Sequence, residues 1–287
     1  MASMRDIKRR KSSIQSTQQI TKAMKLVSTV KLQRAKQRAE NSKAYFDCMY
    51  QTVSSMLAKA GSIQHPYVTG NDSTRKAVIM ITGNRGLAGG YNSNIIKLIT
   101  KGDFNKEDLD IYAIGSKGRD ALARYGYQIK AVYRDLAEEP AYSDAMAIAR
   151  EVLNAYNAGE VGEIYLAYTA FKNTVSHDPK LIRLLPAETG TETEAEGKEA
   201  AEALMNFEPK DEEALGLIIP KYVTSLIYGG LVESVASENG ARMQAMDSAT
   251  SNAEEMIDSL SLLYNRARQG AITQELTEII AGAEAIS

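Results

Sequence analysis

The stretch MQAMDSATSNAEEMIDSLSLLYNRARQ, Met243–Gln269, decides how the chain is read. Steps of three and four through it give Met246, Ala249, Ala253, Met256, Leu260, Leu263 and Ala267. That is a heptad seam, the pattern by which helices pair. Two of its early members are alanine, and Ser, Thr, Asn and Asp flank it. Such a helix buries little by itself and needs a partner.

The partner is at the other end of the chain. Stepping by three and four from Met4 gives Ile7, Lys11, Ile14, Gln18, Thr21, Lys25, Ser28, Leu32, Ala35, Ala39, Ser42, Phe46, Met49, Val53 and Met56 without a slip of register. A second apolar line, Ile20, Ala23, Met24 and Val27, flanks this seam where it is polar. At ~1.5 Å per residue such a helix reaches roughly 80 Å, longer than a small domain is wide. The two ends carry opposite charge: residues 1–43 hold twelve Lys or Arg against two acids, and residues 221–287 hold four against nine. Opposite charge favours side-by-side packing, although exposed pairs add only ~0.2–1 kcal/mol each. Small residues on both seams let the backbones approach closely. An antiparallel coiled coil of the two ends is expected.

All six prolines lie between positions 66 and 220, and both flanks are free of this helix breaker. The region between the helices alternates strand and helix. RKAVIMIT (75–82), DLDIYAIG (108–115), EIYLAYTAF (163–171) and PKLIRLLP (179–186) read as strands. NSNIIKLIT, GRDALARYG and SDAMAIAREVLNAYN have helical spacing. This alternation predicts a small parallel or mixed sheet covered by helices. The fold class is therefore α/β, a central sheet-and-helix domain with a long antiparallel coiled coil. The segments are 1–60 (N-terminal helix), 70–190 (α/β domain), 191–210 (an acidic, exposed loop) and 211–287 (C-terminal helix).

The single cysteine, Cys48, excludes an internal disulfide and any multi-thiolate metal site. His65 and His177 stand far apart in unrelated contexts and read as surface residues, not ligands. No metal ligand set, cofactor motif, HExxH, GxSxG or Cys-His pairing appears. No apolar run approaches the ~20 residues of a membrane span, and the basic N-terminus lacks the apolar core of a secretory signal. GNRGLAGGYNSN (83–94) follows a strand and opens a helix, the place of a phosphate-binding loop. It fits neither GxxxxGK[ST] nor GxGxxG, and the second strand ends in Gly115 instead of an acid for a ribose, so a tight structural turn is the favoured reading. A nucleotide-binding α/β enzyme with a helical arm is the alternative. The basic cluster RDIKRRK (5–11) has no aromatic neighbour before Tyr45, which favours a protein partner over nucleic acid. Beyond Ala267 the seam fails, yet Ile272, Leu276, Ile279 and Ile280 continue the helical pattern. Those residues need another protein to cover them.

Three motifs carry a family resemblance: MASMRDIKRRKSSIQSTQQITKAMKLVSTVKLQRAK, GNRGLAGGYN, and SENGARMQAMDSATSNAEEMIDSLSLLYNRARQGAITQELTEIIAGAEA. Together they resemble the gamma subunit of F-type ATP synthases, over both ends and the centre of the chain. Without a regulatory cysteine insertion or a transit peptide the sequence is similar to bacterial members. The resemblance implies an antiparallel coiled coil of N- and C-terminal helices with a Rossmann-like central α/β domain, and a rotor shaft without chemistry of its own. Its tip would turn inside a hexamer of alpha and beta subunits, and its base would rest, with the epsilon subunit, on a membrane ring of c subunits. Membrane contact would come only through these partners, at the cytoplasmic face. It also implies sleeve contacts at Met24, Arg242, Arg268, Gln269, Thr273 and Glu275, with Lys22 and Lys25 facing acidic loops of beta. Gly270 departs from the alanine common in the family, at ~1 kcal/mol of helix propensity.

Overall fold

The computed structural model describes residues 4–59, 65–134, 136, 138–174, 176–187 and 211–284. The acidic segment 191–210 and the Phe46 side chain lie outside the described parts. The chain divides into two compact units, Met1–Thr29 with Arg242–Ser287, and Val30–Ala241. The helices α1 (Met4–Lys59) and α6 (Asp211–Glu284) each contribute to both. Positions 60 and 211 are thus ends of elements, not borders of compact units, because residues 30–59 and 211–241 belong with the sheet.

The larger unit is built on β1 (Lys76–Ile81), β2 (Leu109–Ile114), β3 (Gln128–Tyr133), β4 (Glu163–Phe171) and β5 (His177–Leu185), in the order β3-β2-β1-β4-β5. The first four are parallel, and β5 runs antiparallel to β4 at the edge. A short α2 (Pro66–Thr69) precedes β1. Between the strands come α3 (Tyr91–Thr100), α4 (Ser116–Arg124) and α5 (Tyr142–Asn157). Alternation along β1 sorts the two cores. Ala77, Ile79 and Ile81 face α5 and α6, while Val78 and Met80 face Ile95 and Ile99 of α3 and Leu122 of α4. The inner strands are buried almost throughout, as a parallel sheet covered on both faces requires. β3, which was not expected from the sequence, is an edge strand of alternating exposure.

α6 covers one sheet face with Leu215, Ile219, Val223, Ile227 and Leu231, spaced by four and all buried. The expectation that no apolar stretch reaches membrane-span character needs correction here. Among the described residues α6 holds an 18-residue window of sufficient hydropathy, and half of that window is buried inside the protein. Its apolar residues are the sheet's cover. Pro220 lies inside this helix; it has no N–H to give the Gly216 carbonyl one turn back, and α6 continues past it.

In the smaller unit the helices pair antiparallel. The hydroxyls of Thr21 and Thr250 stand 2.8 Å apart, and Lys25 Nζ donates to Asp247 Oδ1 at 2.6 Å. The α1 positions Ile7, Thr21 and Ser28 are buried, whereas Ile20 and Val27 of the flanking apolar line are 57% and 59% exposed. The polar line is the covered one. On α6, Met246 and Ala253 are buried and Ala249 and Leu260 half-buried. Met256 and Leu263, expected on the seam, are 53% and 50% exposed, and Ile257 and Tyr264 take the half-buried places. The Thr21–Thr250 contact accompanies the shift: it brings position 250 inward beside 249, and one residue is about 100° of helix rotation. In the larger unit Leu32 and Ala35 of α1 are buried and Ala39 half-buried.

Candidate functional sites: the glycine turn and the helix tip

The turn after β1 occupies the place where open α/β sheets bind ligands, at the carboxyl ends of the strands where strand order reverses. Here that crevice is filled from within. The Gly83 N–H donates to Asn92 Oδ1 at 2.8 Å, and Asn92 Nδ2 returns a bond to the Arg85 carbonyl at 3.2 Å. The N–H donors that open α4 are used as well: Ser116 N–H to Asn84 Oδ1 at 3.0 Å, Lys117 N–H to the Gly83 carbonyl at 3.1 Å, and Gly118 N–H to Thr82 Oγ1 at 3.0 Å. These N–H groups are therefore not free to meet a phosphate.

A carboxylate closes the site. A Cβ on Gly83 would meet Glu238 Oε1 of α6 at 2.6 Å, so the acid lies directly on the turn. α6 covers the neighbouring strand end too. The Thr169 N–H donates to Ser234 Oγ at 3.3 Å, Ser237 Oγ donates to the Thr169 carbonyl at 3.1 Å, and the Phe171 N–H donates to Glu233 Oε2 at 3.3 Å. Burial pushes the Glu233 carboxyl above its usual range, opposed by that N–H and by Lys180. An anion entering this crevice would meet Glu233 and Glu238. The geometry opposes the nucleotide-binding alternative.

His177 packs beneath the same helix. A Cβ on Gly240 would sit 2.8 Å from its Cε1, and the Phe171 ring lies 6.3 Å away. Both ring nitrogens are buried without a hydrogen-bond partner among the described residues. Burial holds the imidazole pKa below its ordinary 6.5. The unfolded chain therefore binds the proton first, and stability is lost as pH falls from about 6.5 through the lower folded value. Chemical denaturation of His177→Leu across that window should show a flatter pH dependence than the parent. Identical slopes would remove His177 as the source.

The tip is the second candidate site, and it lies in the smaller unit. Counting back along both helices from the Thr21–Thr250 contact brings Met4, the first described residue of α1, opposite position 267. α6 runs on to Glu284. Along this extension Ile272, Leu276, Ile279 and Ile280 are 48%, 54%, 68% and 61% exposed. Arg268, Gln269, Thr273 and Glu275 are exposed on the same stretch. The Thr273 hydroxyl donates to the Gln269 carbonyl at 2.9 Å, and Gln274 Nε2 donates to Glu278 Oε1 at 2.9 Å. Lower on α1, Lys22 is exposed and Met24 half-buried, and Arg242 is half-buried on α6. Lys25 differs from Lys22. Its ammonium is held across the coil by Asp247, so its charge is already answered within the chain.

A family model described as ATP synthase matches residues 3–286. The ATP synthase gamma chain of Lachnoclostridium phytofermentans is 65% identical, over 100% of this chain and of that one. The chain belongs to the ATP synthase gamma-chain family. The sodium-ion-specific ATP synthase gamma chain of Acetobacterium woodii is 40% identical over 99% of each. Among solved structures, a chain of the central stalk and c-ring of Tetrahymena thermophila mitochondrial ATP synthase matches at a TM-score of 0.62 and 26% identity. It covers 80% of this chain and 99% of that one. A chain from Euglena gracilis mitochondrial ATP synthase matches at 0.69 over 99% and 94%; at 18% identity it speaks for the fold alone.

Membership in the gamma family accounts for a sequence with no catalytic constellation: gamma chains are non-catalytic subunits. The geometry, for its part, assigns the glycine turn. In this gamma chain the Rossmann-like crevice is packing surface for α6.

Proposed function

We propose that the chain is the central rotor shaft of an F-type ATP synthase, carrying torque between an ion-driven membrane ring and a catalytic hexamer of alpha and beta subunits. Its partners are the alpha and beta subunits around the helix tip, with the epsilon subunit and the c-subunit ring at the α/β domain. It is a peripheral component of the membrane-associated complex, on the cytoplasmic face of the bacterial cell membrane.

The observation that carries this reading is the α6 extension, a helix that runs past its partner among the described residues and leaves Ile272, Leu276, Ile279 and Ile280 about half or more exposed. Arg268, Gln269, Thr273 and Glu275 are its polar contacts to the sleeve, and Arg268 supplies charge-assisted hydrogen bonds. Lys22, Met24 and Arg242 make the contacts farther down. Lys25 contributes through its bond to Asp247, which holds the coil together at that level.

The polar surface suits a shaft. Each deep contact between shaft and sleeve is a barrier to turning, and about 1.4 kcal/mol slows a step tenfold. Co-expression with alpha and beta subunits tests the assignment. A stable complex containing all three is expected, with ATP-driven ion pumping restored when it is joined to the membrane sector. Pumping of equal efficiency by a complex lacking this chain would contradict it.

A further inference from the structure

The glycine turn touches α6 directly and reaches α1 through Glu138, all within the larger unit. On the α6 side Gly83 lies against the Glu238 carboxylate, and Ala88 and Tyr91, 2% and 3% exposed, pack with Ala241 in a small buried cluster. On the α1 side Glu138 bridges two segments. Its Oε2 receives Lys31 Nζ at 3.0 Å, and its Oε1 lies 3.7 Å from Arg85 Nε of the turn. The connection from β3 to α5, which carries Glu138, is tied to the turn again by Asn84 Nδ2, donating to the Arg134 carbonyl at 2.7 Å. Beside this bridge Arg38 approaches Glu139 at 4.0 Å.

These contacts fall at particular positions. Lys31 and Ala241 are within two residues of the ends of the larger unit, Val30 and Ala241, where the same helices continue into the smaller one. The turn also joins β1 to α3, and β1 is the central strand of the sheet. A twist applied to the sheet reaches α6 through close-packed atoms, which transmit strain because interiors are barely compressible. The α1 side is softer. Its ion pairs are largely exposed and each contributes little.

We infer that the turn after β1 is a collar: it grips α6 through Gly83, Ala88 and Tyr91 and α1 through Arg85 and Glu138, and it passes torque between the sheet and the two helices. The inference rests on the rotor reading and adds the place where the α/β domain engages the shaft. Glycine at position 83 lets the Glu238 carboxylate lie against the turn, and a side chain there would have to displace it. Tyr91 is a positioning residue, the largest side chain in the buried cluster that holds Ala241 of α6.

The test uses the assembled complex with the hexamer immobilised and a bead attached through Tyr125→Cys, a site 58% exposed on the α/β domain, in a Cys48→Ser background. Without nucleotide, the angular spread of the bead reports stiffness between the α/β domain and the held tip. Tyr91→Ala should widen the spread roughly twofold, because the deleted ring fills the buried cluster that joins the turn to Ala241 at the end of the larger unit. Ile95→Ala is the control. It is as deeply buried on the same helix α3, but it packs in the core on the opposite sheet face from α6. It should lower thermal stability without widening the spread. Equal widening by both variants, or none by Tyr91→Ala, would overturn the collar. A wild-type bead that never turns on adding ATP would instead overturn the rotor reading.

Discussion

Gly115→Ala is expected to cost more than about 4 kcal/mol, most of the margin of an ordinary domain. Gly115 links β2 to α4 at φ +87°, a conformation that side chains rarely adopt. Strain of that kind costs about 1–3 kcal/mol. Overlap with neighbouring atoms costs more. A Cβ there would lie 2.0 Å from the Thr82 carbonyl oxygen and 2.7 Å from its carbon. These are backbone atoms at the end of the central strand, so no rotamer relieves the clash. Gly270→Ala is the informative contrast. A Cβ at 270 meets nothing within 4 Å, and the exchange should add up to about 1 kcal/mol of local helix stability. Urea unfolding followed by circular dichroism measures both. A Gly115→Ala protein within about 1 kcal/mol of the parent would mean the β1–β2–α4 junction is wrongly described.

Ending the chain after Ala267 should separate binding from folding. Among the described residues, 268–283 are exposed apart from the half-buried Ala271, so the unfolding midpoint should stay close to that of the full chain. Capture by the alpha–beta hexamer should drop sharply. A fully buried Leu or Ile gains about 1.5–3 kcal/mol, and four such residues are about half or more exposed here. Even about 1 kcal/mol net from each, after ordering costs, makes roughly a thousandfold loss of affinity. Titrating truncated and full-length chains against the hexamer reads this directly. Equal affinity would place the gripping surface elsewhere on the shaft.

Much of this architecture is legible in the sequence, for identifiable reasons. β1, β2 and β4 are apolar runs because both faces of the sheet are covered, and such runs stand out. β3 does not, since Gln128 and Lys130 alternate with apolar residues on an edge strand. The α1 seam is readable despite its polarity because its spacing never slips. On α6, hydrophobicity misleads. Met256 and Leu263 look like core, yet Ile257 and Tyr264 take the half-buried places, and a hydroxyl pair, Thr21 with Thr250, accompanies that rotation. That pairing joins residues 229 positions apart and leaves no local signal. The closure of the glycine turn is hidden in the same way. Glu238 and Ala241 are ordinary helix residues until α6 is laid across the strand ends. The tip is the opposite case, since its unpartnered apolar spacing shows in the sequence and persists in the structure.

Rotation itself is the most direct measurement. With the hexamer fixed to a surface and a bead on the α/β domain, ATP should drive sustained turning in one direction at the pace of hydrolysis. ATP hydrolysis by the same complex with the bead at rest would contradict the account.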